Sequence, residues 1–140
     1  VLSRALRARA RFKLSEDIVV PRSKLVAMLD DVRAIAAREQ IEMPTYGHAG
    51  DGNLHVNLLW SDPSLRPAVD RAVRALFERT IVHGGTLSGE HGIGVLKRDW
   101  MHLEQSPAVL DAQRAIKRAL DPRGLLNPHK VLPASGHRGC

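Results

Sequence analysis

The stretch Tyr46-Gly47-His48-Ala49-Gly50-Asp51-Gly52-Asn53-Leu54-His55-Val56-Asn57-Leu58-Leu59 joins a glycine-rich bend to a run with strand periodicity, and its reading decides the rest. Gly47, Gly50 and Gly52 around Asp51 and Asn53 mark a tight turn with positive-φ positions and close backbone approach. From Asn53 onward, Leu54, Val56 and Leu58 alternate with Asn53, His55 and Asn57. Strand side chains alternate faces, so His55 and Asn57 share a polar face and the aliphatics take the other. His48 stands before the turn and comes back towards that polar face.

Two imidazoles brought together in this way suit a zinc, manganese or iron ion; equally, one of them is a hydrogen-bonded structural histidine. A second glycine cluster, Gly89-Glu90-His91-Gly92-Ile93-Gly94, favours the metal. It adds Glu90, a hard carboxylate, and His91, an imidazole that could serve as a base. Neither cluster is a dinucleotide fingerprint, because that requires G-x-G-x-x-G between a strand and a helix and the spacing here is reversed.

Outward from this stretch, the chain punctuates itself. Asp17-Ile18-Val19-Val20 is β-branched and closed by Pro21, a short strand. Leu25, Met28, Leu29, Val32, Ile35 and Ala36 recur at helical spacing and predict a helix from Lys24 to about Gln40. Ile41 to Tyr46 reads as a second strand interrupted by Pro44, and Asn53 to Trp60 is the third. Asp62-Pro63 is a helix start, and Leu65, Val69, Val73, Leu76 and Phe77 continue it until Gly84-Gly85. Thr86-Leu87-Ser88 reads as a fourth strand. The order is β-α-β-β-α-β: an α+β fold of the split, ferredoxin-like kind, an antiparallel sheet with helices on one face. C-terminal helices are expected over Val95 to Leu103 and from Ser106-Pro107 to about Asp121, the latter with Leu110, Ile116, Ala119 and Leu120 on its apolar stripe. The breakers in Arg123 to Pro133 predict an extended segment that needs something to lie against.

At 140 residues the chain fits one domain with a modest core. The expected organisation is a basic arm over 1–12, a main domain over 13–133 and a disordered tail over 134–140. Arg4, Arg7, Arg9 and Arg11 make the arm cationic, and a solvated tail or short helix is favoured there over an anion-binding device. The net charge of +6 would attract anions, but aromatic residues are only 4%, which argues against a nucleic-acid stacking surface. No apolar run approaches the ~20 residues of a membrane span. The single Cys140 leaves no internal disulfide and suits a reducing compartment. Val1 in place of an initiator methionine suggests a fragment or a processed product.

The two glycine clusters, together with Asp121-Pro122-Arg123-Gly124-Leu125-Leu126-Asn127-Pro128 and Ser15-Glu16-Asp17-Ile18-Val19-Val20-Pro21-Arg22, resemble the C-terminal domain of FAD-linked oxidases. That group includes glycolate oxidase FAD subunits, D-lactate dehydrogenases and D-2-hydroxyglutarate dehydrogenases. The resemblance implies that His48, His55 and Glu90 hold a divalent metal such as zinc or manganese, with His91 beside it over a 2-hydroxy-acid substrate. It further implies Asn57 and Lys13 as substrate-binding residues, Lys13 by pairing with a carboxylate, and places Asn127 towards the FAD. The implied partners are the substrate and an FAD-binding domain or subunit; if the flavin half is absent, its former interface leaves apolar surface open, and self-association with a second copy of the chain is expected. The implied location is cytoplasmic or peripheral to the inner membrane. Two departures stand out: the residues just before Ser15 match poorly, and His129 occupies a position where glycine is usual.

In this family an FAD-binding half normally precedes the domain, and 140 residues leave no room for both. The preferred reading is therefore the substrate- and metal-binding part of a flavin-dependent 2-hydroxy-acid dehydrogenase, inactive by itself. A different class of reading is a stand-alone ligand-binding or oligomerisation module that keeps the fold without the chemistry. A metal-dependent hydrolase lacks the H-E-x-x-H signature.

Overall fold

The computed structural model describes residues 2–133 and forms two compact units that divide after Glu90. The tail expected to be disordered, with Cys140, and the starting residue Val1 lie outside the described residues.

The first unit is built on a three-stranded antiparallel sheet of β1 (Phe12–Val19), β2 (Thr45–His48) and β3 (Asn53–Trp60), in the order β1-β3-β2. β3 lies where the alternation of leucine and polar residues predicts it. Directly opposed residues share a face of a sheet. Leu14 opposes Leu58 and Ile18 opposes Leu54, giving one aliphatic face. Ser15 opposes Asn57, Asp17 opposes His55, and Tyr46 opposes His55 from the other side, giving a second face rich in polar groups. Both faces of β3 are covered, since every residue from Asn53 to Leu59 is buried.

Two strand boundaries differ from the sequence expectation. β1 starts at Phe12, well before Asp17, because Phe12 stacks on Trp60 of β3 at 5.5 Å and extends the ladder into residues whose polarity hides a strand. β2 lies after Pro44, not across it. A proline has no N–H to give to a ladder, so Glu42 makes only an isolated bridge to Leu59, and regular pairing resumes at Thr45. Beyond the proline, Gly47 permits the close approach of β2 to β3. A Cβ there would sit 2.0 Å from the Asn53 carbonyl oxygen.

The expected fourth strand at Thr86 to Ser88 is reduced to one bridge, in which Thr86 exchanges backbone hydrogen bonds of 3.1 and 2.9 Å with Val19. Past that bridge the N–H groups of Gly89 and Glu90 are taken by the Asp17 side chain, and no ladder continues. The sheet is therefore a small three-stranded one within an α+β fold.

α2 (Leu25–Glu39) buries Met28, Val32 and Ile35, the i, i+4, i+7 stripe read from the sequence, and ends at Gln40 in the left-handed conformation. α3 (Arg66–Val82) follows a short 3-10 turn whose N-cap, Asp62, accepts from the Ser64 N–H at 2.9 Å. It buries Val69, Val73, Leu76 and Phe77 and packs against α2. Polar clamps tie the pair together. Asp31 of α2 accepts from Arg79 Nε at 2.9 Å and meets His83 Nε2 at 2.6 Å, while Arg71 reaches Glu39 at 2.8 Å. Burial works against ionisation of Asp31, but the bonds from His83 and Arg79 outweigh it and hold its carboxyl below the usual range. The N-terminal arm contains a short helix, α1 (Leu2–Arg7), that buries Leu6.

The second unit contains α4 (Pro107–Leu120), capped by Ser106 as the Ser-Pro pair predicts. The helix expected over Val95 to Leu103 is instead a turn followed by a 3-10 segment, Arg98–Leu103. A positive φ of 58° at Gly94 and the bond from Val131 N–H to the Gly94 carbonyl draw the chain away from regular helix there. The apolar stripe of α4 is largely unburied: Leu110 is covered, but Ile116 is 60% and Leu120 78% exposed. The segment after α4 is irregular, as its breakers predict, and lies against its own unit. Lys117 Nζ donates to the Leu126 carbonyl at 2.6 Å, and Arg98 donates to the His129 carbonyl at 2.8 Å.

Candidate functional site

The polar face of the sheet gathers the side chains that the glycine-rich stretch singles out. His48 ends β2 and His55 sits mid-β3, with ring centroids 5.5 Å apart in an edge-to-face arrangement. Glu90, carried by the second glycine cluster, brings Oε1 to 3.1 Å from His55 Nε2. One ring nitrogen from each histidine and one Glu90 carboxylate oxygen all lie within 4.8 Å of one another. Tyr46, opposite His55 on β2, tilts against its ring with centroids 5.2 Å apart. The His55 side chain is only 8% exposed and that of Glu90 is 50% exposed, so the cluster opens to solvent through Glu90 and the exposed His48.

Two imidazoles and a carboxylate form an N,N,O donor set of the kind that zinc or manganese accepts. The 3.1 Å separation of His55 and Glu90 suits donors sharing one ion. Asn53, paired with His48 across the hairpin, adds a buried acceptor oxygen on the same face that has no hydrogen-bond partner among the described residues. By donor chemistry and spacing, the residues fit a divalent cation.

The remaining expected residues are distributed differently. Lys13 lies in β1 on the same face as Asp17 and His55. Desolvation lowers its ammonium pKa below the usual range, and the neighbouring Arg7 charge lowers it further. Asn57 shares that face but is fully buried. Its Oδ1 accepts from Ser15 Oγ at 3.1 Å, and its Nδ2 donates to the Pro44 and His55 carbonyls at 3.2 and 3.1 Å. Its amide thus braces the strand that carries His55, and contact with a ligand would require exchanging one of these bonds. His91 follows Glu90 directly, is exposed and begins the second unit. Asn127, in the left-handed conformation with φ 44°, lines an apolar groove of about 590 Å³ within that second unit, together with Ile93, Ile116, Leu120 and Leu126.

One residue of this face was read from the sequence only as part of a strand. Asp17 is fully buried, and its Oδ2 accepts from the Gly89 and Glu90 N–H groups at 2.9 and 2.7 Å. Its signal was present in the sequence, since a carboxylate inside a β-branched run is disfavoured unless it has bonding partners.

The chain is similar to several known proteins. The profile of the family described as FAD linked oxidases, C-terminal domain, matches residues 2–131. Glycolate oxidase subunit GlcD of Bacillus subtilis is 41% identical over 91% of this chain, which corresponds to 28% of that protein. The D-2-hydroxyglutarate dehydrogenase of Stutzerimonas stutzeri is 35% identical over 84% of the chain and 27% of its own length. A probable mitochondrial D-lactate dehydrogenase of Danio rerio is 38% identical over 84% of the chain and 24% of its own length. The chain thus spans roughly a quarter of these relatives. With nearly its whole length matched, and with both glycine clusters inside the matched range, this chain belongs to the C-terminal domain family of the FAD-linked oxidases.

Proposed function

We propose that this chain is the substrate- and metal-binding part of a flavin-dependent 2-hydroxy-acid dehydrogenase, with His48, His55 and Glu90 holding a divalent cation. The observation that carries this is the convergence of the three donor atoms within 4.8 Å on the polar face of the sheet. When bound, the cation would lower the pKa of a coordinated hydroxyl and FAD would supply the hydride acceptor. The chain's own residues orient the substrate and handle its proton. Lys13 pairs with the substrate carboxylate, a charge-assisted bond that partial desolvation strengthens. His91 accepts the hydroxyl proton at a ring nitrogen as the general base. Asn57 contributes by fixing His55 and by orienting the substrate, and Asn127 belongs to the segment that meets the flavin side.

The partner in this reading is an FAD-binding domain or subunit. The apolar groove of the second unit and the exposed Leu120, Leu125 and Leu126 support a contact surface there, and self-association is the expected behaviour without that partner. Among the described residues no helix is long and apolar enough to cross a membrane, and a location in the cytoplasm or at a membrane surface accords with that. For the fold, the Thr86 bridge on the outer edge of β1 supports the split, ferredoxin-like arrangement with a vestigial fourth position.

Calorimetric titration of the chain with MnCl2 and ZnCl2 tests the site. Binding should weaken at least about tenfold in His48→Ala and in His55→Ala, because each removes one of three protein ligands. Unchanged affinity in both variants would overturn the assignment.

A further inference from the structure

We propose that Asp17 is a positioning residue of the His48, His55 and Glu90 cluster: its buried carboxylate anchors the backbone of Glu90. The consequence for metal affinity rests on the cation reading given above; the positioning itself does not.

Glu90 is the donor of the three that no strand of the sheet carries. Its side chain is half exposed, and it sits in a glycine-rich loop without regular structure. Its backbone, however, is anchored. Asp17 stands on β1 directly opposite His55, on the same face of the sheet. A single oxygen, Oδ2, accepts from the N–H groups of both Gly89 and Glu90, at 2.9 and 2.7 Å. The loop is therefore fastened to β1 twice, through the Thr86 bridge to Val19 and through the Asp17 side chain two residues earlier on the same face. Gly89 makes this approach possible, since a Cβ there would lie 2.8 Å from Asn53 Nδ2 and from Val19 Cγ2. With the backbone of residue 90 pinned above His55, its carboxylate reaches the imidazole at 3.1 Å.

A fully buried carboxylate is an expensive choice for a strand interior, where an aliphatic residue would pack without desolvating a charge. Two charge-assisted bonds from backbone N–H groups offset that penalty. What the arrangement gains is a fixed third donor. Groups that orient metal ligands from behind commonly matter by about 10–100-fold in affinity when removed.

The test uses Asp17→Ala and Asp17→Asn in the 140-residue chain, with MnCl2 titration and amide hydrogen exchange read residue by residue by NMR. Because both bonds go to one oxygen, the asparagine carbonyl retains the acceptor. The expected result is slow exchange of the Gly89 and Glu90 amides in the wild type and in Asp17→Asn, and fast exchange in Asp17→Ala. Mn2+ affinity should fall about 10–100-fold in the alanine variant and be largely restored in the asparagine variant. Wild-type affinity in a folded Asp17→Ala chain overturns the proposal. So does fast exchange of the two amides in the wild type, a measurement that needs no variant to fold. If the wild type takes up neither Mn2+ nor Zn2+, the cation reading fails and the exchange data alone decide: protection lost in alanine and kept in asparagine upholds Asp17, and protection unchanged in alanine overturns it.

Discussion

His55 shows how much one position depends on its neighbours. Its ring is flanked by Tyr46 and His48, its strand is braced by Asn57, and Glu90 approaches its Nε2. Gly47 makes the hairpin that carries both histidines possible. Gly47→Ala would force its Cβ to within 2.0 Å of the Asn53 oxygen, and thermal denaturation should show a loss of about 2 kcal/mol or more. At the centre of the aliphatic face, Leu58→Ala should cost about 2–5 kcal/mol in the same assay, because Leu58 is fully buried and leaves a cavity. His129 gives a prediction of the opposite sign. It takes the place where glycine is usual in the resembling family and has a φ of 62°, a conformation in which its Cβ is unfavourable. His129→Gly should stabilise the chain by up to about 1 kcal/mol, since the bond from Arg98 uses the backbone carbonyl and survives the change.

Among elements, the end of α4 carries the best-defined titrating device. Asp121 accepts from Lys117 Nζ and from the Leu126 and Leu125 N–H groups. The Lys117 bond first, then the backbone bond from Leu126, with a smaller contribution from Leu125, holds its pKa at about 2 against the usual 3.8. Since the folded value is the lower one, the unfolded chain binds the proton more readily. The stabilisation is complete above the unfolded pKa and vanishes as pH falls through about 2. Asp121→Asn should therefore be less stable than the wild type at neutral pH, and the difference should disappear between about pH 4 and pH 2. Urea unfolding followed by Trp100 fluorescence in a Trp60→Phe background measures this. A difference that persists unchanged into strong acid would show that the contribution is not electrostatic.

For the whole molecule, the first unit has a closed aliphatic core, whereas the second leaves Ile116, Leu120, Leu125 and Leu126 exposed. Apolar surface of this extent tends to find a partner. Light scattering coupled to gel filtration should detect concentration-dependent association of the chain, and Ile116→Glu with Leu120→Glu should reduce it while leaving Mn2+ affinity intact. A chain that stays monomeric at high concentration would remove self-association from the reading. The net charge of +6 gives such association an ionic-strength dependence as well, because salt screens the repulsion between copies.

Sequence alone determined α2, α3, α4 and β3, though not the helix expected over Val95 to Leu103, because an apolar face that repeats every 3.6 or every 2 residues leaves a local trace: Met28, Val32 and Ile35, or Leu54, Val56 and Leu58. It also marked His48, His55 and Glu90, through glycines that only tight turns and close approaches require. It misplaced the edges of β1 and β2 and overextended Thr86 to Ser88, because strand boundaries depend on a partner's register and the local pattern does not carry it. Only the tertiary structure decided that Asp17 faces His55 and captures the N–H groups of residues 72 and 73 positions away. Such a bond leaves no periodicity behind; it exists only once β1 and β3 are paired and the later loop is folded over them.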